Sequence, residues 1–141
     1  MECIAWATHK YIMHGILWTW HASHHEPYKG FFEKNDLFAV VFSIPAMLAI
    51  MGGLYFSIPW LVCIGAGFTL YGICYILFHD IIVHRRIKID FKPGWGYMKR
   101  LVRAHKIHHK TNTREGGKAF GFFYALPKYN VKELDKEPQI H

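Results

Sequence analysis

The amino-acid sequence predicts an all-α fold: a helical multi-pass membrane protein with a transmembrane hairpin and a cytoplasmic, histidine-rich helical cap. Two long uncharged stretches occupy the middle of the 141-residue chain, of which 52% is hydrophobic. Charged residues are scarce there and dense at both ends, where ten of the eleven histidines fall into four clusters. A chain of this length has room for one ordinary domain. We therefore expect one membrane unit with wet, basic ends.

The N-terminal stretch, residues 3–20, is apolar only in part. It contains His9, Lys10 and His14, so we expect at most a partial span, the cytoplasmic end of a helix. The same residues interrupt any short apolar core, and no cleavable signal peptide is predicted. The mature chain is expected to begin near Met1.

Two transmembrane helices are predicted in the middle of the chain. Residues 37–57 carry no charge and, at 1.5 Å per residue, can cross a hydrocarbon layer of about 30 Å. Residues 60–78 form the second span, where Gly65, Gly67 and Gly72 permit close helix contact. The alternative is a hairpin buried in a soluble core, which is disfavoured because so short a chain rarely hides two such helices.

Basic residues predict the orientation of the hairpin. Lys and Arg occur before residue 37 and after residue 78, whereas the turn between the spans has none. The positive-inside rule then places both ends, and all four histidine clusters, in the cytoplasm. This distribution explains the net charge of +7 better than nucleic-acid binding does, because no separate basic domain is present.

The segment after the hairpin contains one further helix. Residues 97–109 are amphipathic, with Leu101, Ala104 and His108 near one face, and we expect this helix at the membrane surface. Residues 128–141 lack a core pattern and are predicted to be a polar, loosely held tail. The membrane domain is therefore assigned to residues 1–127, and His141 receives no role.

The clustered histidines repeat one pattern, HX4H followed by HX2HH, once on each side of the hairpin. About 0.07 copies of HX2HH are expected by chance, so two copies are a specific signal. On an α-helix the three histidines of HX2HH share one face and can bind one metal or straddle two. The two rings of HX4H lie roughly 140° apart on an α-helix, which favours positions on either side of a site. The candidate ligands are His9, His14, His21, His24, His25, His79, His84, His105, His108 and His109.

Ten imidazoles exceed the coordination number of one ion, so a dinuclear centre is the simplest interpretation. Imidazole suits zinc, copper, iron and nickel alike, and the ligand set does not select the element. Acidic residues are expected to hold the ring N–H groups because the ligands themselves are neutral. Asp80 is the first candidate, followed by Glu26, Asp36 and Glu115. The three cysteines have no CxxC spacing and indicate neither disulfides nor a thiolate site.

Five sequence blocks resemble the bacterial-type β-carotene 3-hydroxylases, which belong to the fatty-acid hydroxylase superfamily of membrane di-iron enzymes. The blocks are HKYIMHGILW at 9–18, HASHHEP at 21–27, NDLFAVVF at 35–42, YGICYILFHDIIVHRR at 71–86 and AHKIHHKTNTREGGKAFGFFYALP at 104–127. The histidine blocks alone indicate the superfamily. The segments HKYIMHG and REGGKAFGFFYA narrow the resemblance to carotenoid hydroxylation.

The resemblance implies that the ten histidines bind two ferrous ions and that O2 is the co-substrate. The implied reaction hydroxylates C3 of the β-ionone ring, converting β-carotene into β-cryptoxanthin and then zeaxanthin. Electrons would come from outside the chain, which has no dinucleotide loop and no iron–sulfur cysteines. The resemblance implies a reduced ferredoxin as the donor. Family members carry an apolar span before the first histidine block, so the first span of this chain is expected to be truncated or abbreviated.

Aromatic residues in the last block, Phe120, Phe122, Phe123 and Tyr124, are compatible with a route for a rigid apolar substrate. Ordinary packing at the membrane interface explains them equally well. Two other functions also remain open. One is a related di-iron hydroxylase of fatty acids or sterols, or a carotenoid ketolase; the other is a non-catalytic zinc-binding membrane protein. The two predicted spans, residues 37–57 and 60–78, contain no acidic residue and no histidine. Their absence there disfavours zinc transport.

Overall fold

A computed structural model describes residues 1–26, 30–91 and 93–130. All regular elements in these ranges are helical, which confirms the all-α prediction. The α-helices are α1 (Glu2–Ala7), α2 (Trp18–His25), α3 (Leu37–Tyr55), α4 (Pro59–Tyr75) and α5 (Gly96–His108). Two π-helices, Thr8–Ile16 and Ile76–Val83, follow α1 and α4, and short 3-10 turns occur at Lys34–Asp36 and Pro127–Tyr129.

Helices α3 and α4 form the hairpin and approach each other closely at two glycines. A Cβ atom on Gly65 would lie 2.7 Å from the Ala46 carbonyl oxygen, and one on Gly53 would lie 2.8 Å from the Val62 nitrogen. Such distances are shorter than normal van der Waals contact, so only glycine permits this approach. Pro59 occupies the first turn of α4, where its missing N–H costs no helical hydrogen bond.

The surface of this hairpin is apolar. Its two helical segments are Lys34–Tyr55 and Pro59–Val83, and their most apolar 18-residue stretches have mean hydropathies of 2.2 and 2.1. Only 17% and 6% of these stretches are buried within the protein. The core helices of a soluble protein would be mostly buried, so the hairpin has the surface of a lipid-facing element. The first helix begins at the predicted residue 37 and ends at Tyr55 rather than residue 57. The second continues as a π-helix to Val83, five residues beyond the predicted end.

The N-terminal segment is not one straight helix. Residues 3–20 contain most of α1, the first π-helix and the start of α2, and the backbone at Gly15 is non-helical, with φ −113° and ψ −116°. Within the described ranges only the two hairpin helices are long and apolar enough to cross a membrane. The bend in this segment brings His9 and His14 together with His21 and His25 of α2.

The helical cap has a small core on the buried face of α5. Leu101 and Ala104 are buried there as the amphipathic pattern predicts, and α5 lies within one residue of the predicted bounds at both ends. Leu101 and Ala104 pack with Phe78, Ala125 and Tyr129. The burial of Tyr129 differs from the polar tail predicted from residue 128, because its ring fills a space beside α5. Residues 131–141 of that tail lie outside the described residues.

Candidate metal centre

The π-helices bring each HX4H pair to one place. In a π-helix the backbone hydrogen bond joins residues five apart, so these lie one turn above each other. The His84 N–H donates to the His79 carbonyl at 2.9 Å. The rings of this pair have centroids 4.6 Å apart, and those of His9 and His14 lie 5.4 Å apart. Both rings of each pair therefore lie close together, and the separation of about 140° expected for an α-helix does not apply to these π-helices.

The ten clustered histidines form two groups of five, each able to hold a metal ion, with the ligand nitrogens of each group within 4.8 Å of one another. Site A contains His9, His14, His21, His25 and His108. Site B contains His24, His79, His84, His105 and His109. All ten residues proposed as ligands from the sequence therefore lie in one of two candidate sites.

The two sites follow the same sequence pattern, except that each exchanges one histidine with the other. Each HX4H pair contributes both of its histidines to one site, the first pair to site A and the second to site B; His84 directly follows the second π-helix. The first and third histidines of each HX2HH triplet, four residues apart, remain in the same site as the preceding pair. The middle histidine goes to the other site: His24 of α2 joins site B, and His108 of α5 joins site A. Each triplet thus straddles both sites, one of the two arrangements left open by its spacing.

The ring nitrogens have the geometry of metal ligands. The Nε2 atoms of His9 and His21 are 3.0 Å apart, as are those of His24 and His79. The Nδ1 atom of His9 must donate its proton to the Phe120 carbonyl oxygen, since that oxygen can only accept. In neutral rings the facing Nε2 atoms therefore present lone pairs to each other. Two nitrogens at about 2.1 Å from one ion and roughly 90° apart would have this separation, so the arrangement fits a bound cation.

Burial keeps these rings in the neutral form that binds metals. Desolvation is the largest cause of the lowered pKa of His21, to about 2, and neighbouring histidines lower it further. Burial also lowers the pKa of His108 to about 3 and that of His84 to about 4. The Nε2 atom of His109 is buried and has no hydrogen-bond partner among the described residues, which is costly for a polar atom unless an ion satisfies it.

Neutral groups hold the Nδ1 atoms of site A. The Nδ1 atoms of His14 and His25 donate to the carbonyl oxygens of Arg114 and Thr111 at 3.1 and 2.8 Å. That of His21 donates to the Asn35 side-chain oxygen at 2.7 Å. The remaining two bonds in this site run from His9 to Phe120 O at 2.9 Å and from His108 to Lys118 O at 2.8 Å. Residues 111–120 after α5 therefore orient four of the five rings.

Carboxylates hold two rings of site B. The His24 Nδ1 atom donates to Glu33 Oε1 at 3.0 Å, and that of His79 donates to Asp80 Oδ1 at 2.7 Å. Arg86 forms ion pairs with Glu33 and, at 2.7 Å, with Asp36. Burial is the largest influence on the pKa of Glu33 and raises it, whereas Arg86 acts in the opposite direction.

The four acidic residues proposed as ring partners differ in position. Asp80 contacts His79 directly, whereas Asp36 pairs with Arg86 and accepts the Glu33 N–H at 3.0 Å. Glu26 and Glu115 lie exposed, the latter with 83% of its side chain accessible, and neither hydrogen-bonds a histidine ring among the described residues.

Sequence reasoning missed Glu33 and Asn35 as ring partners. They lie in the short segment between α2 and α3, and their contacts with His24 and His21 depend on the fold. The local sequence signal that could have drawn attention to this segment is the capping box formed by Glu33 and Asp36 ahead of α3.

Aromatic rings enclose the centre. Phe122 stacks on His9 with centroids 4.9 Å apart, and Tyr75 stacks on His79 at 4.4 Å. Phe120 lies edge-on to His9 at 5.5 Å. Of the other aromatics considered as a substrate route, Phe123 packs against Tyr71 and Phe78, and Tyr124 is 60% exposed.

Comparison with known proteins identifies the family. The family model described as fatty acid hydroxylase matches residues 1–127. The chain belongs to the fatty acid hydroxylase family. This membership, with the histidine clusters, fits an iron-binding, hydroxylating enzyme, and the apolar helices indicate association with a membrane.

Named relatives of this family member come from bacteria, algae and plants. A protein of Pantoea ananas named β-carotene hydroxylase is 52% identical over 97% of this chain and 78% of its own length. A β-carotene hydroxylase of Paracoccus sp. (strain PC1) is 42% identical over 94% of this chain and 82% of its own. The chloroplastic β-carotene 3-hydroxylase of Haematococcus lacustris is 43% identical over 87% of this chain and 39% of its own. No solved structure matches the chain.

Proposed function

We propose that this protein is a β-carotene 3-hydroxylase that uses O2 to hydroxylate C3 of the β-ionone ring, giving β-cryptoxanthin and then zeaxanthin. The observation that carries the proposal is the pair of five-histidine sites, each gathered from both sides of the hairpin. Relatives named β-carotene hydroxylase, 40–52% identical among the bacterial ones, supply the substrate class.

Two ferrous ions occupy the centre in this proposal, one held by the five histidines of site A and one by those of site B. Bound iron supplies the activation of O2 that C–H hydroxylation requires. The residues around it fix the ring tautomers, because the Nδ1–H donors of seven rings have acceptors and leave Nε2 free for a metal. Close aromatic packing excludes water from the reacting centre.

The substrate enters from the bilayer side. Tyr75 lies on α4 next to the centre, and Phe122 contacts both Tyr75 and His9, at centroid distances of 4.8 and 4.9 Å. Tyr75 thus belongs to the hydrophobic hairpin and stacks on His79, while Phe122 stacks on His9. They form an apolar wall that can position a β-ionone ring, whereas the exposed Tyr124 is better suited to the membrane interface.

Electrons come from an external ferredoxin-type protein. Lysines and arginines are dense in the segment after the hairpin, and many of them are exposed. A basic surface favours encounter with an acidic redox partner. The hairpin crosses the membrane twice in this proposal, and the histidine cap and the basic residues lie on the cytoplasmic side.

Expression in a bacterium that accumulates β-carotene tests this function, with pigments separated by chromatography. We expect β-cryptoxanthin and zeaxanthin from the intact chain and unchanged β-carotene from the His108→Ala, His109→Ala variant, which removes one ligand from each site. His141→Ala, a histidine outside the clusters, is the matched control and should retain the products.

Iron content and membrane insertion are measured in the same cells. Unchanged β-carotene despite inserted, iron-loaded protein and a competent reductant would reject the carotenoid as substrate. Keto products instead of hydroxylated ones would indicate a carotenoid ketolase. Hydroxylated fatty acids or sterols would identify the other related activity.

A further inference from the structure

The histidine repeat relates the two sites, but their hydrogen-bond partners do not follow the repeat. His24 and His108 are the crossing members of the two triplets. His24 donates to the Glu33 carboxylate, whereas His108 donates to a backbone carbonyl. His79 and His9 are the first histidines of the two HX4H pairs, and they differ in the same way: the former donates to the Asp80 carboxylate, the latter to a backbone carbonyl.

Negative charge therefore accumulates on one side of the centre. The acceptors of site A are four carbonyl oxygens and the neutral amide of Asn35. Beside site B, Arg86 contacts three carboxylates, those of Glu33, Asp36 and Asp80, the last at 3.9 Å. Within the part of the chain that the structure describes, three carboxylates around one guanidinium leave a net negative charge there. Five neutral imidazoles cannot themselves compensate a divalent cation, so this difference acts directly on the bound ion.

We propose that the Glu33, Asp80 and Arg86 network makes the two sites inequivalent, so that site B binds a divalent cation more tightly than site A. Glu33 is a positioning residue: it orients the His24 ring and supplies negative charge through the Nδ1 hydrogen bond. In site A the only side chain among the described ring partners is Asn35, which holds the His21 Nδ1 atom and carries no charge. The inference rests on the two-metal part of the proposed function and is independent of the substrate.

Cobalt(II) titration of the purified full chain tests the inference, followed by ligand-field absorption and by metal analysis. The His14→Ala, His25→Ala variant retains site B, and the His84→Ala, His109→Ala variant retains site A. In the first background, Glu33→Gln should lower the cobalt affinity by about 10- to 100-fold, the usual effect of losing such a partner. In the second background Glu33→Gln should have no effect, and Asn35→Asp should raise the affinity.

The substitutions separate charge from shape. Glutamine keeps an oxygen that can accept the His24 proton, so a loss caused by Glu33→Gln reports the missing charge. Asp90→Asn removes one charge at an exposed position and should leave both affinities unchanged. Equal cobalt affinities of the two single-site variants would overturn the inference, as would an equal effect of Glu33→Gln on both.

The same titration separates this inference from the function. Fewer than two cobalt ions per wild-type chain would reject the two-metal centre and the inference with it. Two inequivalent ions in a chain that fails to hydroxylate β-carotene would support the inference and reject the substrate.

Discussion

The carboxylate of Glu2 joins three parts of the protein. Its Oε1 atom accepts the backbone N–H groups of Phe122, Phe123 and Tyr124 at 2.8, 3.1 and 3.1 Å. Its Oε2 atom accepts the Tyr71 hydroxyl at 2.6 Å, so α1 and α4 are tied to the same loop. That loop also carries the Phe120 carbonyl that orients His9. Glu2 therefore acts on the metal centre through the backbone without touching a ring of the centre.

Replacement of Glu2 tests this connection. Glu2→Ala leaves three N–H groups and one hydroxyl without their acceptor, and should lower the free energy of unfolding by about 1–3 kcal/mol. Iron retention during dialysis should fall as well, because the Phe120 carbonyl loses its fixed position. Thermal unfolding and metal analysis measure the two effects. Asp90→Ala provides the control, and identical behaviour of the two variants would contradict the assigned role.

Residue spacing predicted which histidines would cluster but not what holds them. The HX2HH triplets are local patterns, and ring positions three and four residues apart follow from helix geometry. The partners are distant or lack a side-chain signal: Arg114 supplies a backbone carbonyl to a histidine 100 positions earlier. Asp80 was predictable because it adjoins His79, whereas Glu26 adjoins His25 but is exposed. Proximity in sequence decides such contacts only when the backbone aims both side chains the same way.

The close packing of α3 and α4 makes a prediction at the level of the element. In Gly65→Leu the new Cβ would meet the Ala46 carbonyl and the Ile50 nitrogen at 2.7 and 2.9 Å, and these backbone atoms cannot move independently of α3. The helices must separate, at a cost of about 1–3 kcal/mol. Gly67→Leu is a matched control, because no neighbouring atom of residues 1–26, 30–91 and 93–130 lies within 4 Å of a Cβ at that position.

Thermal unfolding in detergent and the yield of membrane-inserted protein measure the difference between these leucine variants. Gly65→Leu should be the less stable and the less abundant of the two. Equal stability would mean that the approach at Gly65 contributes nothing to the hairpin.

The apolar helices were predictable to within a few residues, but the π-helices were not. Length and absence of charge define a span regardless of its exact hydrogen bonding. The π-helical turns carry no comparable signal, since histidines five apart fit several backbones and the α-helix is the default assumption. The need for the wider turn becomes apparent only from the fold, where His79 and His84 meet in one site. The sequence therefore predicted that these histidines cluster but did not predict the backbone geometry that brings them together.

For the whole molecule, charge predicts the orientation in the membrane. The hairpin turn around Ser57 should face away from the cytoplasm, and exposed Lys88 should face it. Single cysteines at these positions, Ser57→Cys and Lys88→Cys, are introduced after Cys3, Cys63 and Cys74 have been replaced by serine. In intact bacterial cells with a permeabilised outer membrane, an impermeant maleimide should label only the first.

Disruption of the inner membrane provides the control, since both cysteines should then react. Labelling of Lys88→Cys before disruption would reverse the proposed topology.

The crossing of His24 and His108 also determines how the protein holds together. An ion in site A would join residue 9 to residue 108, and an ion in site B would join residue 24 to residue 109. Each ion is then a cross-link that closes a loop containing the entire hairpin, and metal uptake becomes part of folding. Neither half of the chain contains five ligands for either ion. Separately expressed halves could acquire a complete metal site only by assembling with each other.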